Sequence, residues 1–224
     1  MDRRERLLKF VAVVREIYES LSEEEAPVKL MKKVKRRSPF HALITTMLSI
    51  RARDEVTHRV AAALLERAPT PEALCSMPLE EVERILKPLG FYRQKARNVK
   101  EAACRIVKEY GGKVPDTLEG LLTFRGVGRK VANIVLYNAF GKPAVGVDTH
   151  VFRIVKERWK LLPDARRPED VERFLMENLP EEMWGEVNRY LVGFGQAVCK
   201  PVNPKCDTCP LRGECPYARK RLRP

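Results

Sequence analysis

Residue pairs that begin or end α-helices recur at short intervals along the chain, and they limit the fold more than any other feature. A capping serine or threonine followed by proline is a helix start, and paired glycines or glycine near proline are a helix stop. Strand patterns are nearly absent. The start signals are Ser38-Pro39 and Thr70-Pro71, and the stop signals are Gly111-Gly112 and residues 141–143.

Apolar residues between these signals recur at helical spacing, which predicts an all-α protein of about ten short helices. Asp54 and Asp148 are predicted N-caps, and Asp116 with Glu119 is predicted to form a capping box. The expected helices cover residues 2–21, 39–50, 55–68, 71–77, 92–110, 118–124, 129–140 and 149–162.

The charge of the chain indicates its class of partner. Its 224 residues carry a net charge of +13, which is typical of proteins that bind nucleic acid. Basic residues are concentrated at 29–37 and 218–224, although each run alone could be only a solvated surface. No apolar run is long enough to cross a bilayer, and the N-terminus lacks a secretory signal. We therefore expect a cytoplasmic, nucleoid-associated protein without membrane contact, and the composition also suits a thermophilic prokaryote.

A Gly-Val-Gly turn, Gly126 to Gly128, separates the predicted helices 118–124 and 129–140. Glycines allow close approach of the backbone, and the unbonded amides at a helix N-terminus attract phosphate. The same pattern would also fit a plain corner between helices. The basic balance of the chain favours contact with a nucleic-acid backbone.

Lys130 and Asp148 are the two polar residues whose positions in the sequence suggest a chemical role. Lys130 lies in the first turn of a helix, where the helix dipole disfavours a cation and makes the neutral, nucleophilic amine easier to reach. The alternative is simple contact with phosphate. Asp148 stands at an N-cap position, and helix amides would keep its carboxylate ionised.

Four of the six cysteines form the pattern C-x6-C-x2-C-x5-C near the C-terminus. In a cytosolic protein this density favours a metal site over disulfides. The spacing alone does not choose between zinc and iron–sulfur. The remaining two, Cys75 and Cys104, are expected to be buried core residues. The predicted ligands are Cys199, Cys206, Cys209 and Cys215.

Several motifs in order resemble one known family. FRGVGRKVANIVL (124–136), VGVDTHVFRI (145–154), LSIRARD (48–54), LGFYRQKARN (89–98) and the cysteine tail resemble the helix-hairpin-helix DNA repair glycosylases, and endonuclease III-like enzymes most closely. The resemblance covers most of the chain from residue 38 onward. Motifs so numerous and in the same order are improbable by chance.

This resemblance implies a fold and an activity. The fold would have two helical lobes with a central DNA-binding cleft, one formed by 28–142 and the other by 1–27 with 143–224. A monomer would act on double-stranded DNA as a glycosylase and abasic-site lyase. Lys130 would be the nucleophile and Asp148 the essential carboxylate, and the four cysteines would hold a [4Fe–4S] cluster.

The resemblance also suggests contacts near a DNA lesion. Gly126, Gly128 and Arg129 would contact phosphate, and His150 would also lie at the DNA. Leu89 would fill the space left by an extruded base, although a buried helix-ending leucine is almost as good an interpretation. Arg51 replaces the glutamine usual in the family, so we expect a preference for guanine opposite the lesion.

Three functions remain open from the sequence. The first is a bifunctional enzyme that removes oxidised pyrimidines such as thymine glycol. The second is a monofunctional glycosylase for mismatched thymine, uracil or adenine, and Lys130 counts against it. The third is a DNA-binding protein without catalysis, and the presence of both Lys130 and Asp148 counts against that.

Overall fold

The structure is a computed structural model that describes residues 2–30 and 38–222, and these residues contain helices and loops but no β-strand. Most of the basic run predicted at 29–37, and the last two residues of the 218–224 run, lie outside the described residues. In the described ranges, no helix has both the length and the apolar character needed to cross a membrane.

We number the α-helices of the described residues in chain order. Two short irregular turns of helix, a π-helical one at Ile154–Arg158 and a 3₁₀ one at Glu181–Met183, accompany them. The helices are α1 Arg3–Ser20, α2 Pro39–Leu48, α3 Asp54–Arg67, α4 Pro71–Ser76, α5 Leu79–Leu86, α6 Tyr92–Tyr110, α7 Leu118–Leu122, α8 Arg129–Phe140, α9 Thr149–Arg153, α10 Pro168–Asn178, α11 Trp184–Ala197 and α12 Pro216–Arg221.

The capping side chains explain where several helices begin. Ser38 and Thr70 accept hydrogen bonds from the backbone N–H groups of His41 and Ala73, as predicted. Two predicted caps are wrong. Asp54 is the first residue of α3 rather than its cap. Thr117, one residue after Asp116, caps α7 because its hydroxyl reaches the N–H of Gly120.

The chain divides into two compact units, one formed by Met1–Lys29 with Val145–Pro224 and the other by Leu30–Ala144. The sequence placed these two boundaries at residues 27/28 and 142/143. Below, the Leu30–Ala144 unit is called the hairpin unit because it contains the Gly-Val-Gly turn. The other is called the cysteine unit because it contains the four cysteines near the C-terminus.

In the hairpin unit, the core surrounds α2. Residues 40–48 of α2 are all buried, and the helix packs against α3, α6 and α8. The long helix α6 runs along this core and also packs against α4 and α5. It ends at Gly111, whose φ of 59° lies in the left-handed region that ends many helices.

A disulfide joins Cys75 of α4 to Cys104 of α6, with a Cα–Cα distance of 4.7 Å. The sequence analysis expected both cysteines to be buried core residues and did not predict this bond. Neither residue is fully buried. Each helix presents its cysteine toward the other, and spacing along the chain did not reveal that pairing.

In the cysteine unit, α1 packs lengthwise on α11. Phe10 of α1 stacks on Trp159 at 4.3 Å between ring centroids and meets Phe194 edge-on at 6.3 Å. Gly193 of α11 allows this helix to lie close to α1, because a Cβ at position 193 would lie 2.4 Å from a ring carbon of Tyr18 on α1. The helix predicted over 149–162 is interrupted, since the α-helical part ends at Arg153 and a π-helical turn follows.

Candidate functional site

The Gly-Val-Gly turn forms a tight hairpin between α7 and α8. Gly126 has a φ of 83°, and a Cβ there would lie 2.5 Å from the Asn98 side-chain nitrogen on α6. Val127 between the glycines is buried and anchors the turn in the core. Gly128 is the N-cap of α8 and has no capping side chain. The turn therefore exposes bare backbone at the N-terminus of α8, where an anion is favoured.

Lys130 is the second residue of α8 and is half-buried. The next residues, Val131 to Leu136, are buried and fix the helix in the core of its unit. Within the described residues, no hydrogen bond or ion pair holds the Lys130 amine. The amine is thus carried by a helix that is fixed in the core, directly after a turn with the exposed glycines Gly126 and Gly128.

Asp148 is the N-cap of α9. Its Oδ1 accepts a hydrogen bond of 2.9 Å from the backbone N–H of Val151. In the described part of the chain Oδ2 has no protein donor, so one carboxylate oxygen remains available for a ligand. The buried segment before Asp148 is anchored to α11, because the side-chain amide of Asn188 donates to Gly146 O at 2.7 Å.

His150 packs inside the cysteine unit rather than on an open surface. It is half-buried, and a Cβ on Gly195 of α11 would lie 2.5 Å from its Nδ1. The guanidinium of Arg153 lies 3.2 Å from the same nitrogen and donates to the backbone oxygen of Cys199 at 2.9 Å. His150 therefore has packing contacts within its unit, and its contact with DNA stays a prediction.

The four cysteines near the C-terminus line one small cavity of the cysteine unit. Aromatic and apolar side chains, including Trp159, Phe194 and Tyr217, complete its wall. All four cysteines are free thiols. Within residues 2–30 and 38–222, no three His, Cys, Asp or Glu side chains stand at metal-binding distances from one another.

Burial dominates the chemistry of these thiols. It raises the pKa of Cys199 to about 12, against the opposing effect of Arg158 and Arg153, and it also raises the pKa values of Cys206 and Cys209. Without a bound cation, the cavity disfavours thiolates. A metal that binds thiolates would reverse this preference, because its charge stabilises them.

Two exposed residues of the hairpin unit have left-handed backbone conformations that are unusual outside glycine. Arg51 has a φ of 50°, and Phe91 has a φ of 57°. Such conformations often occur at functional sites. Phe91 is 69% exposed, whereas Leu89 is 3% exposed and belongs to the core. The burial of Leu89 contradicts the role predicted for it, and Phe91 has the exposed apolar side chain that the role requires.

Phe91 was missed in the sequence analysis although a signal was present. It follows Gly90 and directly precedes the predicted start of a helix at Tyr92, and apolar residues at such positions are not part of the helical stripe.

The predicted site residues are thus distributed over both units. The hairpin unit carries the Gly-Val-Gly turn, Arg129, Lys130 and Arg51, and the cysteine unit carries Asp148 and the cysteine cavity. The hairpin unit thus carries the Lys130 amine beside the exposed N-terminus of α8, and the cysteine unit carries the helix-capping carboxylate of Asp148.

The chain as a whole is similar to known DNA repair proteins. Residues 44–181 match the family model described as "HhH-GPD superfamily base excision DNA repair protein". Endonuclease III of Thermotoga maritima is 45% identical over 187 residues, which are 84% of this chain and 87% of the relative. Endonuclease III of Bacillus subtilis is 38% identical and is aligned over 82% of this chain and 84% of its own.

Solved structures agree with this result. The chain is similar over 100% of both chains to a trapped covalent intermediate of endonuclease III with DNA, with a TM-score of 0.86 and 32% identity. A non-covalent endonuclease III–DNA complex gives the same TM-score, identity and coverage. Endonuclease III is a bifunctional DNA glycosylase and abasic-site lyase, and this chain is an enzyme of that kind. It belongs to the HhH-GPD superfamily of base excision DNA repair proteins.

Proposed function

We propose that Lys130 and Asp148 carry the reaction and that the substrates are oxidised pyrimidines, such as thymine glycol, in double-stranded DNA. The observation that carries this proposal is the presence of two groups whose surroundings suit the reaction. One is an amine without a protein partner in the first turn of α8, and the other is a carboxylate with one oxygen left open.

The proposed reaction begins with the damaged nucleotide rotated out of the duplex, because its glycosidic bond is out of reach within the stack. The neutral amine of Lys130 attacks C1′ of the sugar. A C–N bond to the enzyme forms as the bond to the base breaks, and the base leaves with the electron pair and takes up a proton. Asp148 stabilises the positive charge that develops on the sugar.

The second step cuts the strand. The sugar ring opens and gives an imine between C1′ and Lys130, which acidifies the protons on C2′. Removal of one of these protons expels the 3′ phosphate by β-elimination, and water then hydrolyses the imine and frees Lys130. Asp148 assists these proton transfers.

DNA would be held by the hairpin turn and by the overall charge. The exposed backbone of Gly126 and Gly128, with Arg129, suits one phosphate at the N-terminus of α8. The net charge of +13 adds attraction that does not depend on sequence.

Phe91 and Arg51 are proposed to contact the duplex at the lesion. The exposed ring of Phe91 would occupy the gap left by the extruded base. Arg51, in place of the usual glutamine, would donate two hydrogen bonds to guanine on the opposite strand. This assigns the gap-filling role to Phe91 in place of Leu89.

The four cavity-lining cysteines are proposed to hold a [4Fe–4S] cluster. The donor set is soft sulfur without an imidazole or carboxylate in the cavity wall, which suits iron–sulfur or zinc. The unequal spacing with a single C-x2-C pair fits the cluster loop of the endonuclease III family better than paired zinc knuckles. When bound, the cluster would support the fold of this unit. The monomeric enzyme would work on chromosomal DNA in the cytoplasm.

Borohydride trapping on a duplex with an abasic site tests the role of Lys130. The wild-type enzyme is expected to form a covalent adduct, and Lys130→Ala is expected to form none. Lys113→Ala, which removes an exposed lysine in a loop after α6, is the matched control and should keep the adduct. An adduct that persists in Lys130→Ala overturns the assignment, and DNA binding without any wild-type adduct supports a non-catalytic protein.

A panel of duplexes, each with one lesion, tests the proposed substrate class. Release of thymine glycol and other oxidised pyrimidines is expected to exceed release of uracil or of adenine from mismatches by at least about tenfold in kcat/KM. Equal or faster release of a mismatched normal base would favour the monofunctional class of relatives.

A further inference from the structure

One buried lysine links the two loops that carry Arg51 and Phe91. The ammonium of Lys95 on α6 donates a 2.9 Å hydrogen bond to the backbone oxygen of Leu48. Leu48 is the last residue of α2, and its carbonyl is one of those left without an intrahelical partner at a helix end. Arg51 follows three residues later.

The backbone of Lys95 reaches the second loop. Its N–H donates to the carbonyl oxygen of Phe91 at 3.0 Å, and this bond closes the first turn of α6. Phe91 is the N-cap of α6 in a left-handed conformation. A single residue thus bonds the end of α2 through its side chain and the Phe91 turn through its backbone.

The chemistry of Lys95 argues against a packing role. The side chain is only 8% exposed, and burial lowers the pKa of its amine. The bond to a neutral carbonyl does not neutralise the charge, so burial carries a cost that methionine of similar length would avoid. The ammonium instead provides a directional hydrogen bond, which fixes the carbonyl at the end of α2 against α6.

We propose that Lys95 is a positioning residue that fixes the Arg51 loop relative to the Phe91 turn and thereby sets selectivity for damaged over intact duplex. The inference rests on the proposed function, in which Arg51 and Phe91 meet the DNA at the lesion. Because both residues have strained backbone conformations, each loop needs outside support to keep its side chain ready. Lys95 supplies one support to both loops.

The test compares Lys95→Met with a matched variant. Lys100, one turn and a residue further along α6, also donates through its ammonium to backbone oxygens, at Cys75 and, at 2.6 Å, at Met77. These carbonyls belong to the α4 region and not to a loop with a proposed DNA contact. Lys100→Met therefore removes the same kind of contact without disturbing Arg51 or Phe91.

The measurement is equilibrium binding of the full chain, with its native metal content, to two duplexes. One holds a stable abasic-site analogue, and the other is intact. Lys95→Met is expected to lower the ratio of the two affinities about tenfold, equivalent to ~1.4 kcal/mol, with intact-duplex affinity unchanged. Lys100→Met is expected to keep the wild-type ratio even if its melting temperature falls.

A fluorescent 2-aminopurine opposite the analogue gives a second readout. Disturbance of that base by the wild type should brighten it, and Lys95→Met should reduce the brightening while Lys100→Met does not. If Lys95→Met fails to fold, Lys95→Arg, which keeps a donor, takes its place and is expected to retain more than half of the wild-type ratio.

The outcomes separate the two proposals. A wild-type ratio and wild-type fluorescence in folded Lys95→Met overturn the role of Lys95 and leave the proposed function intact. An equal fall in both methionine variants also overturns it, since general loosening of α6 would then suffice. A wild-type enzyme that does not prefer the abasic duplex or form the borohydride adduct would instead contradict the proposed function.

Discussion

The two units hold their proposed reactive groups by different means. In the hairpin unit, Gly126 with its positive φ shapes the turn before Lys130, and a disulfide joins α4 to α6. In the cysteine unit, Asp148 caps a helix, and four free thiols line a cavity in which burial raises the pKa values of Cys199, Cys206 and Cys209. The first unit thus contains a covalent cross-link, whereas the stabilising group proposed for the second is a bound metal cluster.

The largest expected effect comes from removing a proposed cluster ligand. Structural metal sites contribute on the order of 10 kcal/mol to the folding of small domains. For Cys206→Ser we expect loss of iron and a fall in melting temperature of more than about 10 °C, followed by circular dichroism together with iron content. An iron-free variant that melts at the wild-type temperature would remove the contrast between the units.

Asp148→Asn should separate catalysis from folding. Asparagine caps helices about as well as aspartate, so the melting temperature is expected to change little. The loss of the negative charge should slow base excision by about 10²–10⁴-fold in single-turnover assays. A variant that melts much earlier would mean that the carboxylate charge, and not only its cap, supports the cysteine unit.

The disulfide should stabilise the hairpin unit. Cross-links between residues 29 positions apart contribute about 3–4 kcal/mol in the chain-entropy account. The double variant Cys75→Ser with Cys104→Ser should therefore lose about this much in denaturant unfolding. Thiol reductant should destabilise the wild type by a similar amount and leave the double variant unaffected. Indifference of the wild type to reductant would contradict the covalent closure.

Gly126→Ala should affect the hairpin turn alone. A Cβ at a φ of 83° is strained and would also press on the Asn98 side chain, so we expect a loss of about 1–2 kcal/mol in stability. Affinity for intact duplex should fall as well, because the exposed backbone no longer fits a phosphate. Gly90→Ala, at a glycine with open space around it and no positive φ, is the control. Equal losses in both variants would argue against the special role of the turn.

The smallest predicted effect concerns the opposite strand. Arg51→Gln should reduce a preference for guanine opposite the lesion by about fivefold, the lower end of the ~1–3 kcal/mol of a bidentate base contact. Excision of one lesion opposite guanine and opposite adenine, by the wild type and the variant, measures it. A wild type that shows no bias, or a bias toward adenine, refutes the role of Arg51.

Local signals in the sequence predicted much of the fold. Ser38, Thr70 and Asp148 were identified as caps because capping depends on residues within one turn. The cap predicted at Asp116 was wrong, because the neighbouring Thr117 caps α7. The carboxylate of Asp116 pairs instead with Lys142, 26 residues away. The sequence could not indicate that competing partner.

The proposed site was predictable only where motif and local structure coincide. Lys130 and the hairpin glycines follow from their place at a helix start. The Cys75–Cys104 disulfide, the hydrogen bond from Lys95 to Leu48 and the burial of Leu89 depend on contacts between distant segments. The place of Phe91 between Gly90 and the predicted helix start was visible in the sequence, but the exposure and the left-handed backbone that distinguish it from Leu89 came only from the structure.

The close contact of His150 with Gly195 makes the position of Asp148 dependent on the sequence of α11. An alanine at position 195 would place its Cβ 2.5 Å from the imidazole and push on α9, whose first turn begins at the carboxylate. A substitution that touches neither DNA nor the reacting sugar could therefore silence the enzyme. The proposed role of Asp148 thus depends on a glycine of another helix that takes no part in the reaction.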